Sequence, residues 1–457
     1  MTGTVFASFV AVVAQLPSPL ESVAESVMQL TPVGLSDVLL LHLLAVSRFL
    51  ALLGAFSLVL LAGGLIGAVF RIWGDRLPGR LMGSVTAFGV LAVAGTRLAI
   101  PLSATEVVMA SVFVAALFFL TRPQPPDRAR RDFLVRTLTV CGGAATLLAL
   151  LALRPLTSAI TVRRLLPYKS PSGLAVAGLS ELVTPSDRFY IMDKVLEYPL
   201  IGGTGWRLTV DGAVERPLSL DTQRLLAWPR HSAYVTLECV DNPVGGPLMG
   251  NALWTGVPVA ALLHAAGAKG NTVLFHAADD YAEPTPVDVL VRSGALVAYA
   301  MNGETLSRAH GYPARLVLPG IYGFKSVKWL TRLEVVHGPA AGHWAEFGWT
   351  PIAVIHTSTR IDVARRNGNY LLLAGVAFAG SRGIQAVEVR ANGGPWRRAS
   401  LGPATSCDSW VQWAIQLHGP GQARVEARAI DGDGAVQPEK RHGAYPDGST
   451  GWATVVA

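Results

Sequence analysis

The chain has three cysteines, Cys141, Cys239 and Cys407, too few and too far apart for a disulfide framework or a zinc-type cluster, so any thiol chemistry rests on a single sulfur. Cys239 has the setting for it. It follows the strand-like Val235-Thr236-Leu237-Glu238 and opens onto the polar, glycine-rich run Asp241-Asn242-Pro243-Val244-Gly245-Gly246. A soft thiolate at a strand-to-loop exit suits a transition metal, whereas a lone cysteine there also reads as a small core residue closing a strand. A second group of chemistry-bearing residues lies at 302–329: Asn302-Gly303-Glu304, His310 to Arg315, Pro319 to Gly323, and Lys325-Ser326-Val327-Lys328-Trp329. Basic groups beside glycine-rich turns converge with backbone N–H groups on an anion such as phosphate; the alternative is a solvated basic loop.

The elements that must position these groups are mixed. From 205 to 340, strand-like runs (Trp206 to Val210, Tyr234 to Val240, Thr272 to His276, Arg315 to Leu318, Leu330 to Val336) alternate with helix-like ones such as Pro258 to Ala266, closed by Gly267. That pattern predicts an α+β domain over 181–345, preceded by a linker at 154–180. From about 350 the pattern is all-β (Tyr370 to Phe378, Gln385 to Arg390, Trp396 to Leu401, Trp410 to Leu417, Ala423 to Ile430), and it predicts an immunoglobulin-like β-sandwich over 346–457.

Composition adds a third part. Hydrophobic residues make up 51%, charged residues 15%, and mean hydropathy is +0.40, too apolar for an ordinary soluble enzyme. The apolar runs 38–70, 81–102, 107–121 and 133–153 approach bilayer-spanning length, with 1–20 as a short additional candidate, so 1–153 is expected to be an α-helical membrane bundle of four or five spans. Arginines at 71, 76, 80, 122, 128, 130 and 131 place two loops inside. The catalytic part is then expected on the extracytoplasmic side of a multi-pass cell-membrane protein, with the lipid bilayer as a partner. Arg130-Arg131-Asp132-Phe133-Leu134 looks like a twin-arginine export signal, the route for a domain exported already folded. The net charge of +7 is small and scattered, which gives no footprint for nucleic acid.

Taken together, the two clusters resemble the sulfite oxidase family of molybdopterin enzymes. The marks are Thr184-Pro185 with Phe189-Tyr190, Leu237-Glu238-Cys239 and Asn242, Trp254-Thr255-Gly256-Val257-Pro258, Asp279-Asp280-Tyr281, Met301-Asn302-Gly303-Glu304, His310-Gly311-x-Pro313-x-Arg315, and Ser326-Val327-Lys328-Trp329. Further marks in the C-terminal part are Gly383-Ile384, Val387-Glu388-Val389, Gly393-Gly394-Pro395-Trp396, Trp410 and Arg428-Ala429-x-Asp431. The resemblance covers roughly 180–457 and looks closest to bacterial members with a membrane segment ahead of the catalytic domain. It implies a molybdenum-molybdopterin cofactor with Cys239 as the protein ligand of the metal. It also implies that His310, Arg315, Ser326 and Lys328 hold the pterin and its phosphate, while the backbone at Tyr190 and Ile191 and the carboxylate of Asp280 line the pterin.

The expected function is a membrane-anchored molybdopterin-dependent oxidoreductase that transfers an oxygen atom on a small-molecule substrate. Electrons would pass to or from a separate quinone or cytochrome, because the chain has no His-Pro-Gly-Gly or Cys-x-x-Cys-His module. A homodimer through the β-sandwich is an open option. The alternatives are a sulfite oxidase or dehydrogenase, and a cofactor-free cell-surface interaction module. One departure weighs against sulfite: the family's sulfite-oxidising members carry an arginine shortly after the Phe-Tyr pair, where this chain has Ile191, Met192 and Asp193. Met192 offers no charge and Asp193 is expected to repel an anion.

Overall fold

The computed structural model describes residues 162–457 apart from 194, 196, 197, 202–204 and 420. Residues 160–193 and 198–457 make one compact unit. Two five-stranded sheets build its first half. One has the order β2-β1-β10-β5-β6, formed by β1 (Leu208–Gly212), β2 (Leu218–Leu220), β5 (Thr272–Ala277), β6 (Ala282–Pro286) and β10 (Leu330–Val336). Within it only β1 and β10 run parallel. The other contains β3 (His231–Glu238), β4 (Met249–Pro258), β7 (Leu296–Met301) and β8 (Glu304–Thr305) in that order, with β9 (Arg315–Val317) paired to β7. As strands flanked on both sides should, β4 and β7 bury nearly every residue.

Three short helices join these strands. In α1 (Thr222–Ala227), the Asp221 carboxylate accepts from the Arg224 N–H at 2.8 Å, satisfying one donor of the first turn. In α2 (Val259–Ala266), Val259, Leu262, Leu263 and Ala266 are buried on one stripe at helical spacing, and Gly267 ends the helix in the left-handed region at φ 65°. The third, α3 (Val287–Arg292), inserts Leu290 into the same apolar cluster as Leu208, Phe275 and Leu333. A second cluster, around Phe189, Val235, Leu237 and Trp254, lies beneath the β3-β4-β7 sheet.

The second half is all-β: β11 (Ser358–Asn367), β12 (Tyr370–Phe378), β13 (Ile384–Ala391), β14 (Arg397–Arg398), β15 (Ser400–Leu401), β16 (Val411–His418), β17 (Arg424–Asp431) and β18 (Ala453–Val456). Here the expected immunoglobulin-like sandwich is corrected. The strands make two open four-stranded sheets, β11-β12-β16-β15 and β14-β13-β17-β18, that share an apolar cluster but are not closed by hydrogen bonds at their edges. The reason is local. The run Trp396 to Leu401, read as one strand, breaks at Ala399, whose N–H bonds to Val387 O at 2.9 Å; the residues before it pair with β13 and those after it with β16.

The membrane part of the expected architecture is corrected too. Among the described residues no helix is long and apolar enough to cross a membrane, since the three α-helices have six, eight and six residues. The spans placed over 1–153 and the paired arginines at 130 and 131 lie outside the described residues. The correction extends to the membrane-anchored type, the bilayer as a partner and the multi-pass extracytoplasmic location, all of which rested on a spanning helix.

Candidate active site

Cys239 lies one residue beyond β3, at 7% exposure. Its N–H donates to Leu248 O at 2.9 Å and its carbonyl accepts from Asn242 N at 3.0 Å, so both backbone groups are consumed within the adjoining loop. Two other segments, Phe189-Tyr190 and Tyr322-Gly323, close on this exit. Phe189 stacks on Tyr190 at 5.4 Å and meets the rings of Trp254 and His310 edge-on at 5.6 and 5.7 Å. Gly323 sits so close that a Cβ there would lie 2.7 Å from the Tyr190 hydroxyl and 3.2 Å from Glu238 O. The Tyr190 hydroxyl is pushed well above its ordinary pKa, first by burial and then by the neighbouring Cys239 charge, with Arg315 acting the other way. Burial, followed by the charge of Glu238, does the same to Tyr322, and both phenols stay protonated donors.

The anion cradle forms opposite. His310 lies in a short 3₁₀ turn, Arg308–His310, capped by the Ser307 hydroxyl, and its Nε2 donates to Ser186 O at 2.8 Å. Burial, helped by Arg315 and Lys328, lowers its pKa to about 4, so the ring is neutral. Gly311 follows at φ 98°, where a Cβ would stand 3.0 Å from the Cβ atoms of both Arg315 and Lys328; only glycine lets the turn approach them. Arg315, 6% exposed, donates to the carbonyls of Leu316, His310 and Ser326 and lies 5.2 Å over the Trp254 ring. Among the described residues no carboxylate pairs with it, and burial lowers its pKa to about 10. Ser326 is buried and its Oγ accepts from Leu318 N at 3.1 Å. Below this loop, Lys325 and Glu283 form a buried ion pair at 2.7 Å, with Tyr281 and the Trp344 N–H completing the carboxylate's partners.

Two expected site residues stand apart from this cluster. Asp280 is exposed at the tip of the β5-β6 turn at φ 62°, and that turn is joined to the 302–329 segment by Ala278 N to Trp329 O at 3.0 Å and by the Tyr281 hydroxyl, which donates to Phe324 O at 2.9 Å. Ile191 is 36% exposed beside Tyr190. The expected repulsion from Asp193 is also corrected: its carboxylate pairs with Lys328 Nζ at 3.1 Å, with only 2% and 11% of the two side chains exposed, so its charge is spent within the protein. Sequence reasoning passed over Glu238 as a strand residue and missed Arg360. The first is a buried carboxyl with pKa raised to about 7 by burial; the second reaches the Cys239 loop from β11.

These residues fit a molybdopterin. A buried guanidinium with only carbonyl partners calls for an anion. Among the described residues no group of three or more His, Cys, Asp or Glu side chains could hold a bare metal ion, so one thiol suits a metal whose remaining ligands come from an organic carrier. Comparison with known proteins agrees. Residues 196–344 match the oxidoreductase molybdopterin binding domain. Mitochondrial sulfite oxidase of Drosophila melanogaster is 27% identical over 324 residues, covering 57% of this chain; the chain spans only 56% of that relative's length. The uncharacterized oxidoreductase YuiH of Bacillus subtilis is 33% identical over 148 residues, 32% of this chain and 73% of that protein. Among solved structures, the sulfane dehydrogenase SoxCD from Paracoccus pantotrophus matches with a TM-score of 0.54 at 25% identity, over 60% of this chain and 80% of that one. The anion cradle, the buried thiol and these likenesses lead to one conclusion: the chain belongs to the molybdopterin-binding oxidoreductases of the sulfite oxidase family.

Proposed function

We propose that the protein is a sulfite oxidase or dehydrogenase, converting sulfite and water to sulfate with release of two protons and two electrons to a separate electron carrier. The observation that carries this reading is the charge balance around Cys239. Asp193 is neutralised by Lys328, His310 is neutral, and Arg315 is a buried cation with only carbonyl hydrogen-bond partners among the described residues, which favours an anionic cofactor and an anionic substrate. The Drosophila relative and the SoxCD structure, both named for oxidation of sulfur compounds, support it.

In this reading 181–345 is the cofactor-binding part. Cys239 ligates molybdenum, Arg315, His310, Ser326 and Lys328 hold the pterin and its phosphate, Tyr190 and Ile191 line it through their backbone, and Asp280 closes its outer edge. When bound, the molybdenum-molybdopterin supplies the two-electron redox chemistry and oxygen transfer. The protein's share is to bind and orient. Arg315 provides a fixed positive field in a desolvated setting, and the protonated Tyr190 and Tyr322 hydroxyls offer donors on the Cys239 side. The test is steady-state kinetics with sulfite and ferricyanide on molybdenum-loaded protein. Saturable, sulfite-dependent reduction of the acceptor is expected; no turnover by fully loaded protein would overturn the reading.

A further inference from the structure

The loop after Cys239 is held from outside as well as within. Asn242 is its hub: its Nδ2 donates to Glu238 Oε1 at 2.9 Å, its Oδ1 accepts from Leu248 N at 2.9 Å, and its carbonyl accepts from the Ser449 hydroxyl at 2.5 Å. Gly246 has no room for a Cβ, which would run into Asn242 Oδ1 and the Pro243 ring, so the loop packs tightly on itself at this position. Its carbonyl accepts from Arg360 Nη1 at 3.2 Å. Arg360 is itself fixed on three sides, by Asp362 Oδ1 at 2.6 Å, Ser180 Oγ at 2.7 Å and the Trp410 ring at 5.7 Å. Between the loop and β11 lies a polar pocket lined by Glu238, Thr357, Arg360, Gln437 and Ser449. Into it turns Glu238, 5% exposed, whose Oε2 has no hydrogen-bond partner among the described residues.

We propose that Arg360 is a positioning residue for Cys239: the C-terminal sheets, through Arg360 with Ser449, clamp the loop and so fix the direction in which the sulfur meets the cofactor. The proposal rests on Cys239 as the metal ligand. It gives the C-terminal half a part in the chemistry, through the loop that carries the sulfur. A guanidinium can hold Gly246, Ser180 and Asp362 at once because its donors lie in a rigid fork; a lysine ammonium keeps the charge and loses the fork.

The clamp is tested first in cofactor-free protein, by amide hydrogen exchange at Asn242 and Leu248 in the parent, Arg360→Lys and Arg360→Met. Exchange at least about tenfold faster in Arg360→Met is expected, with Arg360→Lys between the two. Ser449→Ala, a smaller change, is expected to accelerate the same amides if Arg360→Met does not fold. In molybdenum-loaded protein, Arg360→Met is expected to shift the metal's reduction potential and lower kcat with KM for sulfite unchanged. Parent-like exchange in a folded Arg360→Met or Ser449→Ala protein, or a parent-like potential in loaded Arg360→Met, would overturn the clamp. Metal spectra unchanged in Cys239→Ser would instead remove the ligand assignment, while the exchange experiment still decides whether the loop is held.

Discussion

The proposed chemistry rests on a single sulfur, and its replacement separates chemistry from fold. Cys239→Ser changes one atom at a strand end whose backbone bonds, to Leu248 and Asn242, do not involve the side chain. The expected outcome is loss of turnover with thermal unfolding within a few degrees of the parent; substantial sulfite oxidation by the variant would contradict the assignment. Arg315→Ala removes the buried cation that the anion cradle is built on, and is expected to lower molybdenum content as measured by elemental analysis, unlike Arg292→Ala on the exposed face of α3. Two buried titrating groups give a pH signature in the cofactor-free protein. His310 is lowered from 6.5 to about 4, so between these values the unfolded chain binds a proton that the folded one refuses, and stability is lost on acidification. Glu238 is raised from 4.5 to about 7, so the folded chain holds a proton that the unfolded one releases, and stability is lost as pH rises through that window. Each displacement corresponds to about 3 kcal/mol, and over about pH 4.5 to 6.5 the two oppose. In urea unfolding, Glu238→Gln is expected to leave His310 uncompensated and to lose stability on acidification more steeply than the parent. Equal slopes would contradict the burial of Glu238 as a protonated acid.

At the scale of elements, the strand exit at 239 and the turn at 310–315 were readable because each is local: an apolar strand followed by a glycine-rich loop, and a basic group beside glycines. The β10 and β12 runs were readable for the same reason: in β10 the buried Leu333 and Val335 alternate with half-buried residues, and β12 is an almost unbroken apolar run. Asp193 beside Lys328 was not, because 135 residues separate them and only the folded chain spends one charge on the other. Nor was the break at Ala399, where the backbone changes sheets with no glycine or proline in the run to mark it. The 3₁₀ turn Gly323–Lys325, which brings Gly323 against Tyr190, is tied to an ion pair whose partner, Glu283, lies 42 positions away. Lys325→Met leaves Glu283 buried without its counter-charge, and about 3–5 kcal/mol of stability is expected to be lost. Lys325→Met with Glu283→Gln is expected to recover part of that loss. A denaturation midpoint for Lys325→Met equal to the parent's would show that the pair does not hold this turn.

Across the whole molecule, the two sheet systems of the first half supply the thiol, the neutral histidine and the buried guanidinium, and the C-terminal sheets reach the back of the thiol loop through Arg360 and Ser449. The sequence shows the first contribution through motifs and hides the second, since Gly246 and Arg360 lie 114 positions apart with no local pattern to join them. Both contributions matter only if the sulfur of Cys239 touches the metal. X-ray absorption at the molybdenum edge, on loaded parent and loaded Cys239→Ser, tests that contact most directly. The parent is predicted to show one more sulfur neighbour than the variant, and an equal sulfur count in the two would contradict Cys239 as the ligand.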